Sequence, residues 1–355
     1  MSVLVTGATG FLGMEVLARL LDQPDTEIIA LVRARDRQDA ARRIDTVLAQ
    51  LYENPAARAT GRIRALPGDV SAPDLGLAAE DRRAILQAST EIVHCAASIS
   101  FDLPLEEARA INTEGTRRLL ALAGEVGDLR RLVHVSTAYV GGRHAGTFGE
   151  DDLDVGQEFR NSYEQSKFEA EIEVMASGLP IVIARPSIVV GDRYSGWTPA
   201  FNVIYWPLRA FARGMLDEVP ANPDGVVDVV PVDYVADALV HLLDHPETTG
   251  AVNLVAGRQA VTNAQLIELA CRALGRPAPR INNDAAMIEE ASAYLPYFDV
   301  ATRFDDRRAR GVLEPAGIAT DDFEAYFPAI IDYAQRARWG KTPLTREGAH
   351  LERAA

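Results

Sequence analysis

The chain has 355 residues, of which 48% are hydrophobic and 25% charged, and its formal net charge is −15 at pH 7. This composition is typical of a globular protein with one large or two modest domains. The negative charge disfavours nucleic acids and anionic membranes as partners.

The first pattern along the chain is a strand, a glycine-rich turn and a helix. Residues 2–6 are a short apolar run, and Gly7, Gly10 and Gly13 precede an amphipathic helical pattern. A dinucleotide-binding loop requires this context, because glycines let the backbone approach a pyrophosphate and the helix N-terminus offers free N–H groups. The pattern therefore predicts a nucleotide site here.

The second strand, residues 27–33, bears on the choice of cofactor. A loop that prefers NAD usually carries Asp or Glu about 20 residues after the glycines, where the carboxylate binds the ribose 2′-hydroxyl. This chain has Arg33 there, with Arg35 and Arg37 close behind. A guanidinium suits a 2′-phosphate, so we predict NADPH; the alternative is a solvated basic turn.

Further apolar strands alternate with helices, which predicts a doubly wound parallel sheet of the Rossmann type. Asp69 follows the third strand, where it either contacts an adenine edge or caps a turn. Asn112 is unfavourable inside a helix, so we expect it to bond to a neighbouring loop. The strands are predicted at 63–66, 91–94, 131–135 and 181–185, and the helices at 38–54 and 104–126.

Hydroxyl groups follow the fifth strand, at Ser136 and Thr137. Side chains at the carboxyl end of a parallel strand point into the crevice where ligands bind. Thr137 is the stronger candidate for a catalytic hydroxyl.

Tyr163 and Lys167 are four residues apart on a predicted helix, so both side chains emerge on one face. A neighbouring ammonium favours a phenolate, so we expect Lys167 to lower the pKa of Tyr163 and to prepare it for proton transfer. Chance is a poor explanation, because Lys167 and Lys341 are the only lysines in a chain that otherwise uses arginine.

The character of the sequence changes after Gly191. Residues 201–215 predict an amphipathic helix, which suits the wall of an apolar channel, a buried lid or, last, a membrane surface. We predict a Rossmann domain from 1–194 plus 228–257, and a smaller, mainly helical substrate domain from 195–227 plus 258–355. Within 258–355 lies a cluster of arginines that forms either a solvated face or a phosphate site. Its members are Arg303, Arg307, Arg308 and Arg310.

Cysteine content and apolar runs bear on location. Cys95 and Cys271 are too few for a disulfide framework and fit a reducing compartment. No charged-then-apolar leader precedes Ser2, and no run of about 18 uncharged apolar residues occurs. We therefore expect a cytoplasmic protein with no integral membrane segment. No metal motif is present, and the oligomeric state stays open.

Taken together, the motifs resemble the extended short-chain dehydrogenase/reductases. Finer strings are similar to the thioester-reductase and fatty acyl-CoA reductase branch of that superfamily, over roughly residues 1–255. These strings are TGATGFLG (6–13), VHCAASISF (93–101), NTEGTRRLLALA (112–123), VHVSTAYVGG (133–142), RPSIVVGD (185–192) and DVVPVDYVADAL (228–239).

The resemblance implies a catalytic set of Thr137, Tyr163 and Lys167. It implies reduction of an acyl thioester, from acyl-CoA or an acyl carrier protein, to an aldehyde and then to an alcohol if a second hydride follows. No adenylation or carrier segment is recognisable here, and the alcohol-forming reductases carry a longer C-terminal domain, so donor and product stay open. The implied cofactor site comprises Gly7, Thr9, Gly10, Phe11, Leu12, Gly13, Arg33, Asp69, Val70, Ala96, Ala97, Ser136, Lys167, Pro186 and Ile188.

The same three catalytic residues serve other members of the superfamily. The alternative functions are therefore a ketone reductase or alcohol dehydrogenase, and a nucleotide-sugar epimerase or dehydratase. Arg33 argues against the nucleotide-sugar enzymes, which mostly use NAD.

Overall fold

The computed structural model describes residues 2–56, 61–282 and 296–354. Its centre is a parallel sheet of seven strands, which we number in chain order and which lie side by side in the order 3-2-1-4-5-6-7. The order reverses between the first and fourth strands, and ligands bind at such a switch point. The strands are β1 (Ser2–Thr6), β2 (Glu27–Val32), β3 (Ile63–Pro67), β4 (Glu91–His94), β5 (Arg131–Val135), β6 (Ile181–Pro186) and β7 (Gly250–Leu254).

Helices cover both faces of this sheet. On one face are α1 (Phe11–Asp22), α2 (Arg37–Leu51) and α7 (Val232–Asp244). The opposite face is covered by α3 (Ala79–Ala88), α4 (Leu105–Ala123) and α5 (Ser162–Ala176). Successive strand residues point to opposite faces, and both faces are buried, so the strands are mainly apolar.

A third apolar core lies outside the seven-stranded sheet. It is built by α6 (Tyr205–Ala212), α8 (Asn263–Leu274) and α10 (Phe323–Arg336). Two further α-helices are α9 (Arg307–Leu313) and α11 (Arg346–Ala354). Short two-stranded ladders join these segments to the rest of the molecule: 188–190 with 229–231, 226–227 with 261–262, 146–148 with 302–304, and 218–219 with 280–281.

The predicted fold class is confirmed, whereas the division into two domains stays a prediction. Helix α6 is shorter than the predicted 201–215, because Val203 (φ 47°) and Gly214 (φ 69°) adopt backbone conformations that a right-handed helix excludes. The N-cap of helix α8 is Thr262, whose side chain forms a capping box with Gln265.

Within the ranges described above, no helix is long and apolar enough to cross a membrane.

Candidate active site

A cleft of about 700 Å³ lies at the carboxyl ends of β1, β4, β5 and β6. It occupies the switch point of the sheet, and segments before α6 close its far side. The structure brings most of the predicted site residues together along this cleft. Those that line it are Gly7, Gly10, Phe11, Leu12, Gly13, Ala97, Ser136, Thr137, Tyr163, Lys167, Pro186 and Ile188.

The glycine turn between β1 and α1 has no room for side chains. Gly7 has φ +74°, and a Cβ atom there would lie 2.6 Å from the backbone nitrogen of Ala96. A Cβ atom on Gly13 would lie 2.1 Å from the carbonyl oxygen of Gly7. No side chain caps α1 at Gly10, so its first backbone N–H groups are open to a ligand. Such a turn fits the pyrophosphate of a dinucleotide.

Five of the predicted cofactor residues do not line the cleft: Thr9, Arg33, Asp69, Val70 and Ala96. Among them, Arg33 is exposed just after β2, and its guanidinium has no partner among the described residues. Asp69 caps a turn through hydrogen bonds from the Ser71 nitrogen (2.9 Å) and hydroxyl (2.7 Å). The turn-capping alternative is therefore confirmed for Asp69, and its adenine contact stays a prediction.

Tyr163 and Thr137 both line the cleft. The Thr137 oxygen accepts from the backbone nitrogen of Tyr139 (3.2 Å), so its hydroxyl hydrogen remains available for another acceptor. Burial raises the pKa of Tyr163 to about 12, although the neighbouring Thr137 hydroxyl partly offsets this. The phenol therefore keeps its proton at neutral pH.

Lys167 is only 2% exposed and lies on the same face of α5 as Tyr163. Its Nζ donates to the carbonyl oxygen of Val135 (2.8 Å) and lies 3.5 Å from Nε2 of His134. Burial lowers the pKa of Lys167 to about 8, against the opposing effect of Glu171. The expectation that Lys167 lowers the pKa of Tyr163 is wrong, because burial dominates at the phenol.

Asn112 ties α4 to the active-site helix. Its Nδ2 donates to Ser166 Oγ (2.9 Å) on α5, and its side chain bonds both backbone groups of Ser98. The predicted bond from Asn112 to a neighbouring loop is confirmed. Through it, the loop after β4 and the helix that carries Tyr163 are held in one position.

An aromatic wall beside Tyr163 was missed by the sequence analysis. Phe101 lies 5.8 Å from the Tyr163 ring and stacks at 5.1 Å on Tyr297, and Tyr139 meets Tyr297 edge-on at 5.1 Å. The Tyr297 hydroxyl donates to the buried Glu164 (2.8 Å). Tyr139 lies two residues after Thr137 in the chain, which was a usable signal, whereas Tyr297 is remote in sequence.

The segment predicted as an amphipathic helix serves two of the expected purposes. Tyr205 and the residues just before it line the cleft, and Leu208 and Phe211 are buried in the third core. The channel-wall and buried-helix alternatives thus each describe part of α6.

The arginine cluster is largely neutralised by carboxylates. Arg307 pairs with Asp305 (2.8 Å) and Arg310 with Asp306 (3.1 Å). Arg308 pairs with Asp151. These contacts favour a structural surface over a phosphate site. Across the described ranges, no group of three or more His, Cys, Asp or Glu side chains is arranged to hold a metal ion.

Comparison with known proteins places the chain in a family. The model of the family described as male sterility protein matches residues 5–239. The chain belongs to the male sterility protein family. That match includes the glycine turn, Thr137, Tyr163 and Lys167, and it confirms the resemblance inferred from the motifs.

Relatives named as fatty acyl-CoA reductases are similar over about two thirds of the chain. Fatty acyl-CoA reductase wat of Drosophila melanogaster is 31% identical over 275 residues, which cover 67% of this chain and 53% of the relative. Fatty acyl-CoA reductase 1 of Homo sapiens is 31% identical over 274 residues, covering 66% and 53%. The chain thus spans about half the length of the curated relatives it matches.

Solved structures extend the likeness to nearly the whole chain. The terminal R domain from the myxalamid PKS-NRPS pathway has a TM-score of 0.84 at 27% identity, covering 97% of this chain and 92% of that domain. The R domain of a nonribosomal peptide synthetase from Mycobacterium tuberculosis has a TM-score of 0.76 at 22% identity, covering 96% and 92%. UDP-glucuronic acid 4-epimerase from Bacillus cereus shares the fold, with a TM-score of 0.72 at 18% identity and coverage of 98% and 100%.

Proposed function

We propose that the protein is an NADPH-dependent reductase that converts an acyl thioester to an aldehyde. The observation that carries this proposal is the hydroxyl pair of Thr137 and Tyr163, with Lys167 behind it, on the floor of a cleft that begins at a glycine turn. Relatives named as fatty acyl-CoA reductases and the fold shared with R domains support the choice of an acyl thioester.

The residues present fit the proposed cofactor. The uncapped N-terminus of α1 would hold the pyrophosphate, and the unpartnered Arg33 would bind a 2′-phosphate. Ala97, Pro186 and Ile188 are small or apolar and would let the nicotinamide end lie against the cleft wall. Bound there, NADPH would supply the hydride.

The two hydroxyls provide the stabilisation that the reaction requires. As the thioester carbonyl is reduced, negative charge develops on its oxygen, and preorganised donors aimed at that oxygen contribute most to catalysis. Thr137 and Tyr163 would both donate to it. Because the pKa of Tyr163 is about 12, the phenol retains its proton until the oxyanion forms and then transfers it.

Lys167 completes the set. Its ammonium lies against the end of β5 and would hold the nicotinamide ribose and stabilise the tyrosine after proton loss. The reduced carbon then bears a hydroxyl and the sulfur of the former thioester. Loss of the hydroxyl proton, cleavage of the carbon–sulfur bond and protonation of the sulfur release the thiol and leave the aldehyde. A second reduction of the aldehyde at the same hydroxyls would give an alcohol.

The acyl part of the substrate would lie against the aromatic wall. Phe101, Tyr139 and Tyr297 line the cleft next to Tyr163, and Ile99 is 60% exposed nearby. Apolar and aromatic side chains with few polar groups are typical of sites that bind an apolar ligand. We infer that CoA or a carrier protein presents the thioester from the open side of this cleft.

The deciding measurement is oxidation of NADPH by the purified protein with a series of acyl-CoAs, with thiol release followed in parallel. Ketones, and NADH in place of NADPH, are tested beside them. NADPH oxidation with one thiol released per acyl-CoA consumed is the expected result. Turnover only with ketones would instead identify a dehydrogenase on the same fold, and turnover only with NADH would overturn the role of Arg33.

A further inference from the structure

Four buried polar side chains lie in a row beneath the cleft, three on strands of the sheet and one on α5. We call Thr6, His94, His134 and Lys167 the polar row. The first three occupy matching positions on β1, β4 and β5, because Thr6 pairs with His94 and His94 with His134 in the strand register. Thr6 Oγ1 lies 2.7 Å from His94 Nδ1, the two imidazole rings are 5.3 Å apart, and Lys167 follows at the end.

All members of the row are buried, so their presence costs stability unless each polar atom has a partner. His94 is satisfied on both ring nitrogens, by Thr6 and by Thr116 Oγ1 at 3.2 Å. His134 is not. Within the described part of the chain, its Nδ1 has no hydrogen-bond partner and its Nε2 has only Lys167. An incompletely satisfied buried group of this kind calls for an explanation other than stability.

Burial and the Lys167 ammonium together determine the protonation state of His134. Burial, followed by the effect of Lys167, holds its pKa well below the usual value, and His94 is neutral as well. A neutral imidazole has one donor nitrogen and one acceptor nitrogen. Since the ammonium of Lys167 can only donate, the nitrogen that faces it, Nε2, is the acceptor.

The surroundings of Lys167 offer few other anchors. Besides Val135 O and His134, the titratable groups that act on it are His94 on β4, the Cys95 thiol just after β4, and Glu171 on its own helix. Tyr163 lies one turn earlier on that helix. Glu171 is itself engaged by Arg185 from β6 at 2.6 Å. The carbonyl and the imidazole therefore supply two acceptors on the sheet side, which leaves one N–H of the ammonium for the cleft.

We propose that His134 is a positioning residue for Lys167: its imidazole accepts a hydrogen bond from the ammonium, keeps that group protonated and directs its remaining N–H into the cleft. The importance of this contact for turnover rests on the proposed function, whereas the contact itself does not. If His134 is replaced by an apolar residue, the charged form of Lys167 loses an acceptor, and its pKa must fall.

The scarcity of lysine makes this directly measurable. In protein labelled with ¹³C at the lysine ε-carbon, the variant Lys341→Arg leaves Lys167 as the only lysine signal. A pH titration of that signal is expected to have its midpoint near 8. With His134→Leu the midpoint is expected to move down by about one unit, and His134→Gln, which retains an acceptor, is expected to restore most of the difference.

His94→Gln is the matched control, because it alters a buried histidine of the same row that does not hydrogen-bond Lys167; it is expected to leave the midpoint in place. Should His134→Leu fail to fold, His134→Met replaces it. A folded apolar variant with an unchanged midpoint would overturn the proposal, as would an equal shift in His94→Gln. A shifted midpoint in a protein that turns over no acyl thioester would support the contact while refuting the proposed function.

Discussion

The two walls of the cleft are built in different ways. The glycine turn is made of main-chain atoms of the consecutive residues 7–13, and its shape depends on the absence of side chains at Gly7 and Gly13. The facing wall is made of side chains, with Phe101 and Tyr297 brought together from segments almost 200 residues apart. The first wall, which we call the backbone wall, is therefore fixed by local backbone geometry. The second, the aromatic wall described above, is the side-chain wall, and its shape depends on long-range packing.

The largest effect on turnover is expected from replacing Tyr163, whose phenol lies at the boundary of the two walls. Tyr163→Phe removes the proton donor and one of two oxyanion donors while keeping the ring, so we expect kcat to fall at least about 100-fold. NADPH affinity, measured by fluorescence titration, should change little, because the turn is untouched. Retention of wild-type turnover would contradict the assignment of Tyr163.

The backbone wall is broken by adding a single methyl group. In Gly13→Ala the new Cβ atom would overlap the Gly7 carbonyl oxygen, so the turn must shift, at a cost of about 1–3 kcal/mol. We expect weaker NADPH binding in the same titration. Gly311→Ala is the control, since a Cβ atom there meets nothing within 4 Å and α9 should gain slightly in stability. Equal affinities in the two variants would refute the steric argument.

Replacing Arg33, at the edge of the backbone wall, tests whether the protein prefers NADPH to NADH. Arg33→Ala removes a guanidinium that has no partner among the residues described, and we expect about tenfold weaker binding of NADPH with no change for NADH. Arg37→Ala is the matched control, because Arg37 is engaged by Glu80 and Asp81. If both cofactors bind Arg33→Ala as they bind the wild type, the 2′-phosphate lies elsewhere.

The side-chain wall is tested by removing one oxygen atom. Tyr297→Phe deletes the hydroxyl that donates to Glu164 and accepts from Asn161 Nδ2 at 3.0 Å. We expect the free energy of unfolding to fall by about 1–2 kcal/mol in urea denaturation, since Glu164 then retains only its Arg160 contacts. An unchanged free energy would mean that the aromatic stack alone holds this wall.

The sequence predicts the backbone wall well because its signals are local. Strand, glycines and helix are adjacent in the chain, and the i, i+4 spacing of Tyr163 and Lys167 is set by helix geometry. Thr137 can be predicted as a site residue from its position at the end of β5. These residues, and the sheet that carries them, could be located without coordinates.

The remainder of the site depends on contacts that no local pattern encodes. Tyr297 reaches Glu164 across 133 positions, and nothing in its own neighbourhood distinguishes it from a core tyrosine. The pKa of Tyr163 was predicted in the wrong direction, because the i, i+4 rule supplies the ammonium but not the burial or the Val135 carbonyl that engages it. Burial and long-range pairing are properties of the folded chain.

The glycine turn also determines how readily the protein could acquire resistance to an inhibitor. A compound that mimics a pyrophosphate would be held by main-chain N–H groups at the start of α1, and no side-chain replacement other than proline deletes those donors. Resistance would therefore require reshaping the turn, which the same chain needs for its own cofactor. A compound held by Phe101 or Tyr297 would meet escape variants far more readily, since those contacts can be removed one residue at a time.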